Sequence, residues 1–129
     1  MHCPKCNGYM KAISYKGIEV DRCMKCYGLW FDKFELGDLK KLSGSEVIDI
    51  GDVEIGEKQD NMKEIVCPKC DEPMLLTRDE KQTHITYEKC SSCGGVYFDS
   101  GEFKDLKKVT IGEFFKYLFK KKEVNPLDL

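Results

Sequence analysis

Hydrophobic and polar residues alternate with a period of two in two regions of the 129-residue chain. The first region is 13–20, where Lys16 and Gly17 separate two apolar arms. The second consists of 74–77 and 85–87, separated by the polar run RDEKQT. Alternation interrupted by a polar or glycine-containing turn is typical of β-hairpins. The sequence therefore predicts two hairpins, the second with a longer turn.

Each predicted hairpin is followed by a stretch in which apolar residues recur at every third position. They are Leu36, Leu39 and Leu42 in the first stretch and Phe103, Leu106 and Val109 in the second. This spacing places the side chains along one edge of a helix, with the polar residues of DLKK facing solvent. Both stretches are therefore predicted to be short helices.

The two hairpin–helix units are copies of one another. CPKC begins each unit, and IEVDRCMKCYGLWFDKFELGDLKKL recurs as ITYEKCSSCGGVYFDSGEFKDLKKV. From Cys23 to Leu42, ten of twenty positions are identical to those from Cys90 to Val109, without a gap. Self-similarity of this kind indicates a duplicated structural unit. It divides the chain into a first repeat (1–42), a connecting segment (43–64), a second repeat (65–109) and a tail (110–129).

The connecting segment is acidic and punctuated by glycine. Its apolar residues include Ile48, Ile50, Val53 and Ile55. Two interpretations are equally good at this stage: a short strand or hairpin, and a solvated linker.

The tail contains an amphipathic pattern. Apolar residues recur at i, i+3, i+4, i+7 and i+8, namely Ile111, Phe114, Phe115, Leu118 and Phe119. This pattern predicts a C-terminal helix, which Pro126 would end. We expect the helix to pack on the second repeat. The alternatives are a homodimer contact, docking to a partner and attachment to a membrane surface.

Charge and leader signals narrow the possible functions. The formal net charge is −2, and no segment has the basic excess expected of a protein that relies on phosphate contacts. No apolar run is long enough for a transmembrane helix, and MHCPKC does not resemble a secretory signal. We therefore expect a cytoplasmic protein, in which eight cysteines are metal ligands rather than disulfides.

The cysteine spacing predicts two metal sites. The first repeat has the pattern C-x2-C-x16-C-x2-C and the second C-x2-C-x19-C-x2-C, both typical of four-cysteine zinc sites. Units of about 40 residues usually need a disulfide, a metal or a partner to fold. The predicted ligands are Cys3, Cys6, Cys23 and Cys26 in one site and Cys67, Cys70, Cys90 and Cys93 in the other. Two Zn²⁺ bound by eight thiolates would change the net charge to about −6.

Acidic pairs after the last cysteines are candidates for helix caps. Asp32 precedes Glu35 by three residues, and Asp99 precedes Glu102 in the same way. In a capping box the first side chain accepts helix N–H groups and the second reaches back to the cap residue. Acid–base catalysis and metal binding are the alternatives for these four carboxylates. We favour capping because it explains both their spacing and their position.

Several neighbours of the cysteines have predicted structural roles. Pro4 and Pro68 fix the first turn of each repeat. Chain reversal after the second cysteine pairs favours positive φ, to which we assign Gly28, Gly94 and Gly95. Trp30 and Tyr97 are core residues or partner-binding residues. His2 and His84 are expected at the surface, where Lys5, Lys11, Arg22 and Lys25 would form a basic or simply solvated face.

Both repeats resemble the TFIIB-type zinc-finger family of small prokaryotic proteins. The similarity lies in CPKC, the hairpin, and the segments CMKCYGLWFDKFEL and CSSCGGVYFDSGEF. It implies a small metal-stabilised α+β fold of two tandem zinc ribbons, each a hairpin with a short capped helix. It also implies that each group of four cysteines binds one zinc. Tyr97 in place of Trp30 and Phe103 in place of Leu36 do not affect the ligands.

We therefore predict a non-enzymatic zinc-binding protein that acts as an adaptor, with transcription or RNA metabolism as the candidate process. Its charge favours a protein partner over bare nucleic acid. One alternative is a rubredoxin-like redox protein with iron in the four-thiolate sites. Another is a zinc-dependent thiol or chaperone-type protein, because C-x-x-C-x-G resembles the zinc-binding repeats of J-domain chaperones. That role would need a reactive cysteine of low pKa.

Overall fold

The computed structural model describes residues 1–52, 54–56 and 64–107. The strands are β1 (Met10–Tyr15), β2 (Ile18–Cys23), β3 (Leu29–Phe31), β4 (Leu75–Arg78), β5 (Thr86–Lys89) and β6 (Val96–Phe98). The helices are α1 (Glu35–Lys41) and the 3-10 helix Ser45–Ile48, and residues 54–56 and 102–107 are also helical.

The two predicted hairpins are confirmed. β1 and β2 are antiparallel, and the two-residue turn between them has φ of 50° at Lys16 and 87° at Gly17. Positive φ at both turn residues fits the right-handed twist of the flanking strands. In the second hairpin, β4 and β5 each begin one residue later than predicted. Asp79 orders the longer turn there by accepting the backbone N–H groups of Lys81 and Gln82.

All six strands form one antiparallel sheet in the order β1-β2-β3-β6-β5-β4. The short strands β3 and β6, which the sequence did not predict, join the repeats at the centre of this sheet. Trp30 pairs there with Tyr97, its counterpart in the other repeat, while Leu29 pairs with Phe98 and Phe31 with Val96. The repeats are thus related by a local twofold axis between Trp30 and Tyr97.

Each face of the sheet carries its own core. The metal face contains both groups of four cysteines together with Met10, Met74, Trp30 and Tyr97. The helix face contains Leu29, Phe31, Val96 and Phe98, packed against Leu39 of α1 and against Phe103 and Leu106. Successive strand residues point to opposite faces. For this reason Trp30 and Tyr97 lie among the cysteines, whereas their neighbours in β3 and β6 lie beneath the helices.

The predicted helices are present, but the first begins differently. Glu35 reaches back to the backbone N–H of Asp32 at 2.7 Å, as predicted. The cap position, however, is Phe34 with φ of 78°, and no side chain caps the helix. The capping role assigned to Asp32 was therefore wrong, because its carboxylate binds Trp30 and Lys69 instead. On the predicted apolar edges Leu39, Phe103 and Leu106 are buried, and Val109 lies outside the described residues.

The described part of the connecting segment packs on both repeats. Its 3-10 helix buries Ile48, whose carbonyl accepts a hydrogen bond from Arg22 Nη2 at 2.6 Å. The Asp49 carboxylate accepts the backbone N–H groups of Gly101 and Lys104 at 3.0 and 2.9 Å, at the start of the helical segment 102–107. Residues 45–48 are thus a short helix rather than the strand or solvated linker considered from sequence.

The predicted tail helix, with its possible dimer contact, lies outside the described residues. Within 1–52, 54–56 and 64–107, none of the helices has the length and apolar character that crossing a membrane requires.

Candidate metal centres

The structure brings together both predicted sets of four cysteines. In the first cluster (Cys3, Cys6, Cys23, Cys26) and in the second (Cys67, Cys70, Cys90, Cys93), all four sulfurs lie within 4.8 Å of one another. The Sγ atoms of Cys3 and Cys26 are 3.8 Å apart, as are those of Cys67 and Cys93. A tetrahedron with Zn–S bonds of about 2.3 Å has edges of about 3.8 Å. Both clusters therefore have dimensions compatible with a bound zinc ion.

Tight backbone turns aim the sulfurs at one point. After the second cysteine of every C-x2-C pair the chain reverses through a residue with positive φ: Asn7 (62°), Tyr27 (66°), Asp71 (58°) and Gly94 (77°). The N–H groups within the turns point at the first sulfur, with Cys26 N 3.4 Å from Cys23 Sγ and Cys70 N 3.3 Å from Cys67 Sγ. Such hydrogen bonds orient thiolate ligands and stabilise their charge.

Of the three glycines predicted to have positive φ, only Gly94 does. Gly28 and Gly95 are needed because an aromatic side chain from the other repeat lies against each of them. A Cβ built on Gly28 would overlap the hydroxyl of Tyr97, and one on Gly95 would overlap the indole of Trp30. The close approach of a ring, rather than the backbone conformation, thus excludes a side chain at these two positions.

Tyr97 connects the second repeat to the first cluster. Its hydroxyl lies 3.2 Å from Cys3 Sγ and 3.3 Å from Cys26 Sγ. Burial and the nearby sulfurs of Cys3 and Cys26 raise the pKa of Tyr97, so the hydroxyl keeps its proton. Trp30 is also fully buried, and its indole N–H donates to Asp32 at 3.0 Å. Both aromatic residues therefore belong to the core and not to an exposed partner surface.

Lysines inside the CPKC turns form ion pairs across the repeats. Lys5 lies 2.8 Å from Asp99 and 3.1 Å from Glu88, with its side chain completely buried. Burial opposes the charged form of Lys5, but the two carboxylates raise its pKa above the ordinary value. In the second repeat, Lys69 forms the equivalent ion pair with Asp32. The expectation that Lys5 lies on a basic or solvated face of the first repeat was wrong, because its carboxylate partners lie in the other repeat and could not be foreseen from one repeat alone.

Each cluster contains one cysteine that ionises easily. A hydrogen bond from Cys26 lowers the pKa of Cys3 to about 5, although burial acts in the opposite direction. Burial likewise opposes ionisation of Cys90, but backbone N–H groups of Cys93 and Ser92 lower its pKa to about 7. The thiolate is the form of cysteine that binds metal. The lowered pKa of Cys3 and of Cys90 favours the thiolate form that metal binding requires.

The other candidate ligands are not assembled into a site. Among the described residues, the only groups of three or more potential ligands are the two cysteine clusters. Asp32 and Glu35 are engaged by Trp30, Lys69 and the backbone. His2 and His84 are exposed, as expected from sequence.

The fold and the two clusters define a tandem zinc-ribbon protein. The family model described as transcription factor zinc-finger matches residues 2–42 and 66–109, one match to each repeat. The chain therefore belongs to this TFIIB-type zinc-ribbon family, in two tandem copies, as the sequence predicted. Comparisons with curated proteins and with solved structures gave no significant match.

Proposed function

We propose that the protein binds two Zn²⁺ and acts as a non-enzymatic adaptor that docks to a protein partner, in a process related to transcription or RNA metabolism. Zinc is the metal we assign because four thiolates in tetrahedral positions are the usual ligands of structural zinc sites. Catalytic zinc sites keep a position open for water or substrate. In each cluster the four sulfurs would fill every position, which supports a structural role.

The observation that carries the choice of partner is that five basic side chains are engaged within the molecule. Lys5 and Lys69 bind carboxylates of the opposite repeat, and Lys40 binds Asp79. Lys107 donates to two carbonyl oxygens at the end of α1, and Arg22 donates to Ile48. Binding to bare nucleic acid depends on basic groups that are free to neutralise phosphates. Their engagement, together with a net charge of about −6 after zinc binding, favours a protein partner.

Exposed apolar side chains support a protein partner as well. Tyr9 is 63% exposed and lies beside Met24, whose N–H donates to the Tyr9 carbonyl. Leu75 and Leu76 are exposed on β4, which is an edge strand of the sheet. Aromatic and methionine side chains are enriched where proteins meet.

The test is a titration of zinc-loaded protein with duplex DNA and with single-stranded RNA at several salt concentrations. We expect no binding at micromolar concentrations and physiological ionic strength. Micromolar affinity that falls steeply with salt would contradict the choice of a protein partner, since such a slope reports phosphate contacts.

Native mass spectrometry and absorption spectra of the purified protein test the metal. We expect two zinc ions per chain and no colour. A red protein with charge-transfer bands would instead support the rubredoxin-like alternative. Rapid alkylation of the native protein without metal loss would support the thiol or chaperone-type alternative.

A further inference from the structure

The first metal cluster is completed by the second repeat. The Tyr97 hydroxyl lies within hydrogen-bond distance of Cys3 and Cys26, which come from the first and the second cysteine pair of the first repeat. It approaches from β6, at the centre of the shared sheet. The side chain is fully buried, so water does not replace it as a hydrogen-bond donor.

The direction of this hydrogen bond follows from metal binding. Cysteines that bind zinc are thiolates and can only accept hydrogen bonds. The Tyr97 hydroxyl must therefore donate its single proton to Cys3 or Cys26, or share it between them. A donor at this position withdraws negative charge from the sulfurs and fixes their orientation, as outer-shell partners of metal ligands do.

The second cluster has no equivalent donor from Trp30. Trp30 occupies the position related to Tyr97 by the local twofold axis and lies against Gly95, two residues after Cys93 of the second cluster. Its N–H donates to Asp32 instead of to sulfur. The Tyr97 hydroxyl therefore approaches the first cluster, whereas the edge of the Trp30 ring occupies the equivalent position beside the second cluster.

The second cluster is also less buried than the first. In the first cluster only Cys6 is partly exposed, whereas Cys70 and Cys93 are both partly exposed in the second. The lysine between the first two cysteines is also better protected in the first repeat. The side chain of Lys5 is 0% exposed, and that of Lys69 is 44% exposed.

We propose that Tyr97 is a positioning residue of the first metal site, and that zinc consequently leaves the second site before the first. This inference rests on the proposed zinc binding. In the first cluster a chelator meets one partly exposed ligand, Cys6, while the buried Tyr97 hydroxyl holds two of the remaining three sulfurs. To reach the second, it can approach through the partly exposed Cys70 and Cys93.

The first test is the rate at which a chelating dye removes zinc from the loaded full-length protein. The wild type should release one zinc in a fast phase and one in a slow phase. Tyr97→Phe should accelerate the slow phase about tenfold, the lower end of what loss of an outer-shell partner costs, and leave the fast phase unchanged. The matched control is Tyr87→Phe, which removes the hydroxyl of a half-buried tyrosine in the helix-face core of the same repeat. This control should release both ions at wild-type rates.

The second test assigns the phases with ¹¹³Cd in place of zinc. The wild type should give two resonances. Tyr97→Phe should shift one of them, and substoichiometric chelator should remove the other first. A ¹H–¹¹³Cd correlation spectrum of the wild type should also show the Tyr97 hydroxyl proton coupled to the first-site metal. This spectrum needs no variant, so it tests the hydrogen bond from Tyr97 to the first-site ligands even if Tyr97→Phe fails to fold.

Three results would overturn the inference. They are identical release rates in Tyr97→Phe and wild type, a shift confined to the resonance that is lost first, and absence of the hydroxyl correlation while both metals remain bound. A protein that binds fewer than two metals would refute the proposed function itself. The two failures are therefore distinguishable.

Discussion

The two metal clusters are built from the same sequence pattern but lie in different surroundings. The local twofold axis places Tyr97 over the first cluster and Trp30 over the second. It also pairs Lys5 with Asp99 in the interior and Lys69 with Asp32 near the surface. Duplication thus preserved the contacts between repeats while their burial diverged. Each site packs against an aromatic residue of the other repeat, which makes the two sites interdependent.

The largest expected effect is that of metal removal, which tests this interdependence. Structural zinc contributes roughly 10–16 kcal/mol of apparent free energy at neutral pH, comparable to the whole stability of a small domain. We expect complete chelation to unfold both repeats, because the clusters and the central aromatic residues share one core. Circular dichroism and thermal melting of chelator-treated protein measure the outcome. A cooperative melting transition retained after complete zinc removal would show that the sheet is stable without metal.

The next largest effect concerns the two lysines. Lys5→Met should lower the free energy of unfolding of the zinc-loaded protein by about 3–5 kcal/mol, because it removes the cation that compensates Asp99 and Glu88 in the interior. The equivalent change Lys69→Met should cost only about 0–1 kcal/mol, because that ion pair is partly exposed. Urea denaturation at constant free zinc measures both. Equal effects would mean that the difference in burial is energetically unimportant.

The two lysines illustrate which features could be predicted from the sequence and which could not. The hairpins, the helices and the eight cysteines follow from patterns within one repeat, where spacing constrains geometry. The partners of Lys5 and the position of Tyr97 depend on how two repeats join. That junction is formed by β3 and β6, each only three residues long, and a strand so short leaves no periodic signal. Asp32 was misassigned as a helix cap for the same reason, because its partner Lys69 lies in the other repeat.

A smaller effect is expected at the glycines beneath the aromatic rings. Gly28→Ala should destabilise the zinc-loaded protein by about 1–3 kcal/mol, because the new methyl group would overlap the Tyr97 hydroxyl. It should also accelerate zinc release from the first site, since that hydroxyl contacts Cys3 and Cys26.

The control is Gly37→Ala, at an exposed position of α1 where a Cβ meets nothing within 4 Å. It should stabilise the protein by roughly 0.5–1 kcal/mol through helix propensity. Thermal melting and the release assay distinguish the two variants.

The smallest effect concerns the connecting segment, which supplies the second repeat with an acceptor for helix N–H groups. Asp49→Ala removes the carboxylate that accepts the N–H groups of Gly101 and Lys104. The loss of a helix-capping side chain costs about 0.5–2 kcal/mol. Burial raises the pKa of Asp49, because desolvation of the carboxylate outweighs these hydrogen bonds, and this places the expected cost in the lower part of that range. We therefore expect Asp49→Ala to lower the free energy of unfolding by about 1 kcal/mol, as measured by urea denaturation. Asp52→Ala is the control, because within the described part of the chain its carboxylate accepts an exposed local N–H, that of Ile55. This change should alter stability by less than about 0.5 kcal/mol. If both variants match the wild type, the segment contributes no stability to the second repeat through this carboxylate.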